Sequence, residues 1–265
     1  DESIAAPLSY CFGHGETGQT YLLQHNESFY ESRVSFYPGV ERLDFTLGAP
    51  RTEPESLEAA LGQKLTAADA QKCFSCHATN AVNETQALRI EGMTPGVGCE
   101  ACHGPAAAHV AATKAGQPPK TGIFSPTNLT GDALSQRFCG SCHRSHQEVM
   151  SMPDLGGTGN IRFQPYRLAK SSCYYGDPKD RRISCIACHN PHEALVREPT
   201  FYDAKCLSCH ASNANSGAGT TAKPCRTSTR RCSTCHMPKI ELAGAHAQFT
   251  DHFIRIVRSG AAYPK

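Results

Sequence analysis

Apolar and polar residues alternate along this chain in short blocks. No apolar run approaches the roughly 18 residues of a membrane span. Near the start, QTYLLQ and SFYESRVSFYPG flank the polar HNE, which predicts a β-hairpin. In TEPESLEAALG, Thr52 stands three residues before Glu55, Pro54 lies between them, and Gly62 closes the run; this predicts a helix opened by a capping box. TAADAQKC predicts a second short helix. From Lys72 onward the pattern is one of short helices between loops: AAAHVAATKAG is stopped at Gly116, GDALSQRFC follows, and QPPKTGIFSP, PDLGGTGN and SNANSGAGTTAKP are turn-rich. The expected fold is mainly α with many loops and a small β-hairpin region at the N-terminus.

Composition changes this picture. Only 39% of the 265 residues are hydrophobic and Trp is absent, while Gly numbers 22 and Pro 17. That supply of large apolar side chains is thin for so long a chain, so something other than protein is expected to fill the interior. A formal charge of +2 gives no electrostatic case for nucleic acid. Fifteen cysteines imply disulfides, metals or covalent cofactors. The first residue is Asp1 and no charged and apolar leader precedes it, which reads as a processed product of an exported chain.

The cysteines fall into a pattern. C-x-x-C-H occurs at CFSCH (73–77), CEACH (99–103), CGSCH (139–143), CIACH (185–189), CLSCH (206–210) and CSTCH (232–236). Six copies use twelve of the fifteen cysteines and six of the thirteen histidines. Two thiols at this spacing can each form a thioether to one haem edge, and the adjacent histidine then falls under the iron. The haem-binding residues are thus Cys73 and Cys76, Cys99 and Cys102, Cys139 and Cys142, Cys185 and Cys188, Cys206 and Cys209, Cys232 and Cys235. The proximal ligands are His77, His103, His143, His189, His210 and His236. Zinc ribbons and thioredoxin-type C-x-x-C sites need no histidine after every second cysteine. Six haem c groups are expected, with residues 1–70 a haem-free segment of hairpin and helix and 71–265 a hexahaem domain. Porphyrins would supply the missing core. Their propionates would take the oxidised protein to a net charge of about −4, and the reduced protein to about −10.

Seven histidines remain: His14, His25, His109, His146, His192, His246 and His252. A six-coordinate iron needs a ligand on the second haem face, and seven candidates face six irons. His146 and His192 each follow a motif histidine by three residues and cannot reach round the porphyrin to the same iron. Each must ligate a neighbouring haem or none. His109 lies about 9 Å along a helix from His103 and on another face, so it too points to a second haem. Met93, Met150 and Met152 are ligands only where a histidine fails, and Met237 reads as packing. Two of Cys11, Cys173 and Cys225 are expected to pair in an oxidising compartment, without a means of choosing which. Arg181-Arg182 and Arg230-Arg231 stand near motifs, where they either neutralise propionates or are solvated. N-x-S/T occurs at Asn26, Asn83 and Asn128, about as often as chance gives.

CEACHGPAAAHV, CIACHNPH and the closing CSTCHMPK with FTDHFIRI resemble multihaem c-type cytochromes, nearest to those around the tetrahaem carrier that serves hydroxylamine oxidoreductase in nitrifying bacteria. The resemblance covers residues 72–256, and GHGETGQTYL is similar to an N-terminal segment in some larger members. It implies His109, His192 and His252 as distal ligands first, His246 and His14 next, then His146, with His25 the spare. The pentahaem nitrite reductases of the wider group carry a lysine in place of one motif histidine, and no C-x-x-C-K occurs here.

Together these readings give an electron-transfer protein without catalytic residues, its closely packed haems mostly held by two histidines. It would sit outside the cytoplasm, in the periplasm, at the cell surface or beyond. Redox proteins or extracellular acceptors would be its partners, with no nucleic acid and no membrane span. Two versions stay open: a discrete carrier, and a subunit of a conductive filament in which one chain lends an axial histidine to the next. The alternative is a haem enzyme acting on a small nitrogen or sulfur compound at one five-coordinate iron.

Overall fold

A computed structural model of the chain describes every residue except 1, 14, 84, 86, 153–156, 175–182, 212–223 and 264–265. It divides into two compact units, Asp1–Pro126 with Leu242–Ala247, and Thr127–Glu241 with Gln248–Lys265. Two C-x-x-C-H motifs lie in the first unit and four in the second.

The first unit is built on a five-stranded antiparallel sheet in which β1 (Leu8–Phe12), β2 (Gln19–His25), β3 (Ser28–Tyr37) and β4 (Arg42–Phe45) follow in order, while β5 (Gly62–Lys64) also pairs with β3. The hairpin expected around HNE is β2–β3. His25 pairs with Ser28, so the turn itself is Asn26-Glu27. Both turn residues have positive φ, 46° and 59°, the conformation that matches a tight turn to the twist of its strands. The sheet is larger than the hairpin that local sequence announces, because β1, β4 and β5 are recruited by pairing across the chain.

Helix α1 spans Leu57–Leu61 and begins at Ser56, whose hydroxyl accepts the Ala59 N–H. The capping box read at Thr52 is therefore corrected to a cap four residues on, directly before the apolar Leu57. Helix α2 (Ala67–His77) starts at Thr66, which accepts the Asp69 N–H, and runs through the first motif. Strands β6 (Ala78–Thr79) and β7 (Thr94–Pro95) pair before α3 (Cys99–His103) and α4 (Ala107–Lys114). The core of this unit is centred on Phe74, a variable residue of the first motif and only 1% exposed. Tyr10, Phe12 and Phe29 from the sheet set their rings around it at centroid distances of 4.9, 5.3 and 6.0 Å. Met93 packs on the same cluster.

The second unit holds α5 (Gly140–His143), α6 (His146–Met150), α7 (Gln164–Ala169), α8 (Cys185–Cys188), α9 (Asp203–His210) and α10 (Cys232–His236). Ala133–Phe138 is wound as a π-helix, and the Cys139 N–H reaches back five residues to the Leu134 carbonyl at 2.8 Å. Val149, Phe163 and Tyr166 form a small core that Met152 joins, whereas Met150 is exposed. β8 (Lys239–Leu242) and β9 (Ala247–Thr250) make a two-stranded sheet.

Arg167 and Asp251, both fully buried, face each other in the second unit. Arg167 donates from Nε and Nη2 to the two carboxylate oxygens at 2.9 and 3.0 Å. Arg255 adds a bond at 2.5 Å, and the Arg167 guanidinium lies over the rings of Tyr263 and Phe253. A buried charge of this kind persists only when its partner and hydrogen bonds are complete.

Candidate haem sites

All six motifs are helical or lie at a helix end, which sets their two cysteines on one turn with the histidine one step further. What each imidazole can do next depends on which nitrogen keeps the proton. A carbonyl oxygen can only accept, so a ring nitrogen bonded to one must be the N–H, and the other nitrogen then carries the lone pair.

Four histidines are committed in this way through Nδ1. His103 donates to the Phe124 carbonyl at 2.8 Å and His109 to the Thr121 carbonyl at 3.0 Å. His236 donates to Arg255 at 2.9 Å and His252 to Thr250 at 3.0 Å. In each, Nε2 is left as the metal-binding nitrogen. Backbone carbonyls are common outer partners of metal-bound imidazoles.

Two short segments provide these carbonyls. Residues 121–124 run along α4, and Gly122 makes the approach workable. Its φ is +73°, and a Cβ there would meet the backbone of Ala108 and His109 at 3.0 Å. The segment 250–255 is held differently. Asp251 is locked by Arg167, the Ser171 hydroxyl donates to the His252 carbonyl at 3.1 Å, and the Ile254 N–H donates to that hydroxyl at 2.8 Å. These anchors lie about eighty positions apart in sequence and carry no local signal.

His189 and His252 face each other with ring centres 6.3 Å apart. Metal–imidazole bonds of about 2 Å put two trans nitrogens about 4 Å apart and their ring centres about 6 Å apart. The observed spacing is therefore that of two imidazoles sharing one metal. Burial lowers the pKa of both, that of His252 to about 4, so His252 is a neutral base at neutral pH, as a ligand must be. Paired thiols on one turn, lone pairs assigned to Nε2, and one facing pair at ligand spacing all suit haem c.

The other histidines are placed as follows. His77 lies edge-on to Phe12 at 5.2 Å. His143 and His210 are exposed, and so is His192, whose N–H donates to Asn190. His146 stacks on Tyr166 at 5.4 Å. His246 Nε2 bonds Asp44 Oδ2 at 2.7 Å, so any metal bond from it would run through Nδ1. His25 accepts from the Asn26 side chain at 3.0 Å. His14, Arg181 and Arg182 lie outside the described residues.

Cys11, Cys173 and Cys225 do not pair, contrary to expectation. Cys173 is partly buried, which pushes its thiol up. Cys225 is exposed, and the N–H groups of Ser228 and Thr227 hold its thiol low. Among the described residues no helix is long and apolar enough to cross a membrane.

Comparison with known proteins agrees with this chemistry. A family model described as cytochrome c554 and c-prime matches residues 47–104, which include the first two motifs. The multiheme cytochrome MtrA of Shewanella baltica (strain OS185) is 24% identical over 214 residues, covering 75% of this chain and 54% of that protein. The crystal structure of the outer cell wall cytochrome OcwA is similar in fold, with a TM-score of 0.50 and 16% identity, covering 91% of this chain and 66% of that one. The chain thus spans about half the length of the curated relative it matches.

Proposed function

Because this chain is a multihaem c-type cytochrome, we propose that it moves electrons through six covalently held haems, most of them bound by two histidines. Haem c, when bound, supplies an iron that passes between ferric and ferrous states. The chain's own residues tether it by two thiols, present neutral imidazoles and exclude water.

The observation that carries this reading is the His189–His252 pair at 6.3 Å. A site with an imidazole on each side of the metal has no open position for a substrate, which favours electron transfer over catalysis. His109 joins the proposed distal set through its carbonyl-bound Nδ1. Two imidazoles also give lower potentials than histidine with methionine. Covalent attachment places the working protein outside the cytoplasm, with redox proteins or extracellular acceptors as partners.

The test is a haem count with a ferric spectrum. Six haems per chain, all or all but one low-spin, is the expected result. Several high-spin haems per chain would overturn it in favour of an enzyme. The proposal covers a discrete carrier and a filament subunit that lends His14 or His25 to the next chain. A monodisperse monomer with six low-spin haems would remove the second.

A further inference from the structure

The first and second motifs begin 26 residues apart, and so do the fifth and sixth. In both cases a side chain beside the earlier motif grips the backbone at the start of the later one.

In the first unit the side chain is Thr79, two residues after His77 and buried. Its hydroxyl accepts the N–H of Gly98, the residue that opens α3, at 2.8 Å and donates to the Gly96 carbonyl at 2.8 Å. The Gly96 N–H reaches the His77 carbonyl at 3.1 Å. Asn80 donates to Glu100, inside the second motif, at 3.1 Å.

In the second unit the side chain is Asp203, the first residue of α9 and three positions before Cys206. Its two oxygens accept the N–H groups of Arg231 and Cys232 at 2.7 and 2.8 Å, at the start of α10. Arg231 turns its backbone to a φ of +55° to meet it. The sequence separation, the side-chain acceptor and the target at a helix start recur on different local structures.

We propose that motifs one and two, and motifs five and six, form two locked pairs of haem sites, with Thr79 and Asp203 as the positioning residues that fix each pair's spacing. The inference rests on the reading that these motifs hold haem. Each tie is a polar strut between two haem-bearing helices. Removing it lets the helices shift relative to one another without touching a thiol or an axial nitrogen.

The experiment uses the full holoprotein and reads the exciton-coupled circular dichroism of the Soret band, which reports the mutual geometry of neighbouring haems, alongside haem content. A chain with Cys232→Ala and Cys235→Ala, lacking the sixth haem, identifies the signal of the last pair. Asp203→Ala should keep all six haems and lose that same signal. Asp203→Asn, which retains one acceptor oxygen, should lose part of it. Thr79→Val should do the same to the signal removed by Cys99→Ala with Cys102→Ala. Full haem content with both signals unchanged in Asp203→Ala and Thr79→Val overturns the proposal alone. If Asp203→Ala sheds haem, Asp203→Asn decides, and an unchanged signal there overturns it. Wild-type protein without haem at these motifs overturns the underlying reading and the pairs with it.

Discussion

The Phe124 and Thr250 carbonyls each decide which nitrogen of an imidazole faces a metal, and neither choice is visible in the sequence. C-x-x-C-H announces attachment and names the proximal ligand. The distal ligand is set by contacts such as that of Arg167 with Asp251, whose partners are 84 positions apart. Replacing His252 by Ala should convert one haem from low to high spin while all six stay attached, because attachment depends on the thiols. The ferric spectrum and haem content check this together. Arg167→Met should cost roughly 3–5 kcal/mol, since it strands a buried carboxylate, and chemical denaturation of the holoprotein measures it. Burial pushes the Asp251 carboxyl up, but the bonds from Arg167, the Phe253 N–H and Arg255 outweigh it and hold the group below its ordinary value. A carboxyl lowered by folding stabilises the protein at pH values above its unfolded range. That stability is expected to persist through neutral pH and to fade only as pH falls through the depressed value. Wild type and Arg167→Met should therefore converge in strong acid, which an acid titration of stability would show.

Elements with complete local signals were legible in advance. Helix α2 has Thr66 with Asp69 at its start, α4 stops before Gly116, and the β2–β3 hairpin has aromatic and β-branched runs on both sides of a polar turn. Where a second candidate cap lay nearby, as Thr52 did near Ser56, the acceptor next to the apolar run won. Strands β1, β4 and β5 were not legible, because their place depends on pairing with distant partners. Nor was the role of Phe74, since a variable motif position gives no hint that three sheet aromatics close around it. Phe74→Ala should destabilise the protein by about 3–5 kcal/mol through the cavity it leaves, measured by thermal or chemical unfolding. Gly122→Ala is expected to act on the site instead. The added Cβ displaces the segment that holds both His103 and His109, so the ferric spectrum should change by more than stability does.

For the molecule as a whole, the cofactor reverses the sign of the charge. The polypeptide alone has a pI of about 8.0, whereas propionates on six haems take the oxidised holoprotein to a net charge of about −4. Holoprotein should bind an anion exchanger at pH 7 and apoprotein should not, and isoelectric focusing of the two forms measures the difference. The proposed electron path is also sensitive to chain length at one place. A π-helix holds one residue more per turn than its surroundings and commonly marks a functional position. Ala133–Phe138 winds this way directly before Cys139. Loss of a single codon there would let the segment relax to α-helical winding and rotate the following thiols by about 100°. An in-frame deletion that leaves every cysteine and histidine codon intact would then silence the third haem site, a lesion that no survey of point substitutions would reveal.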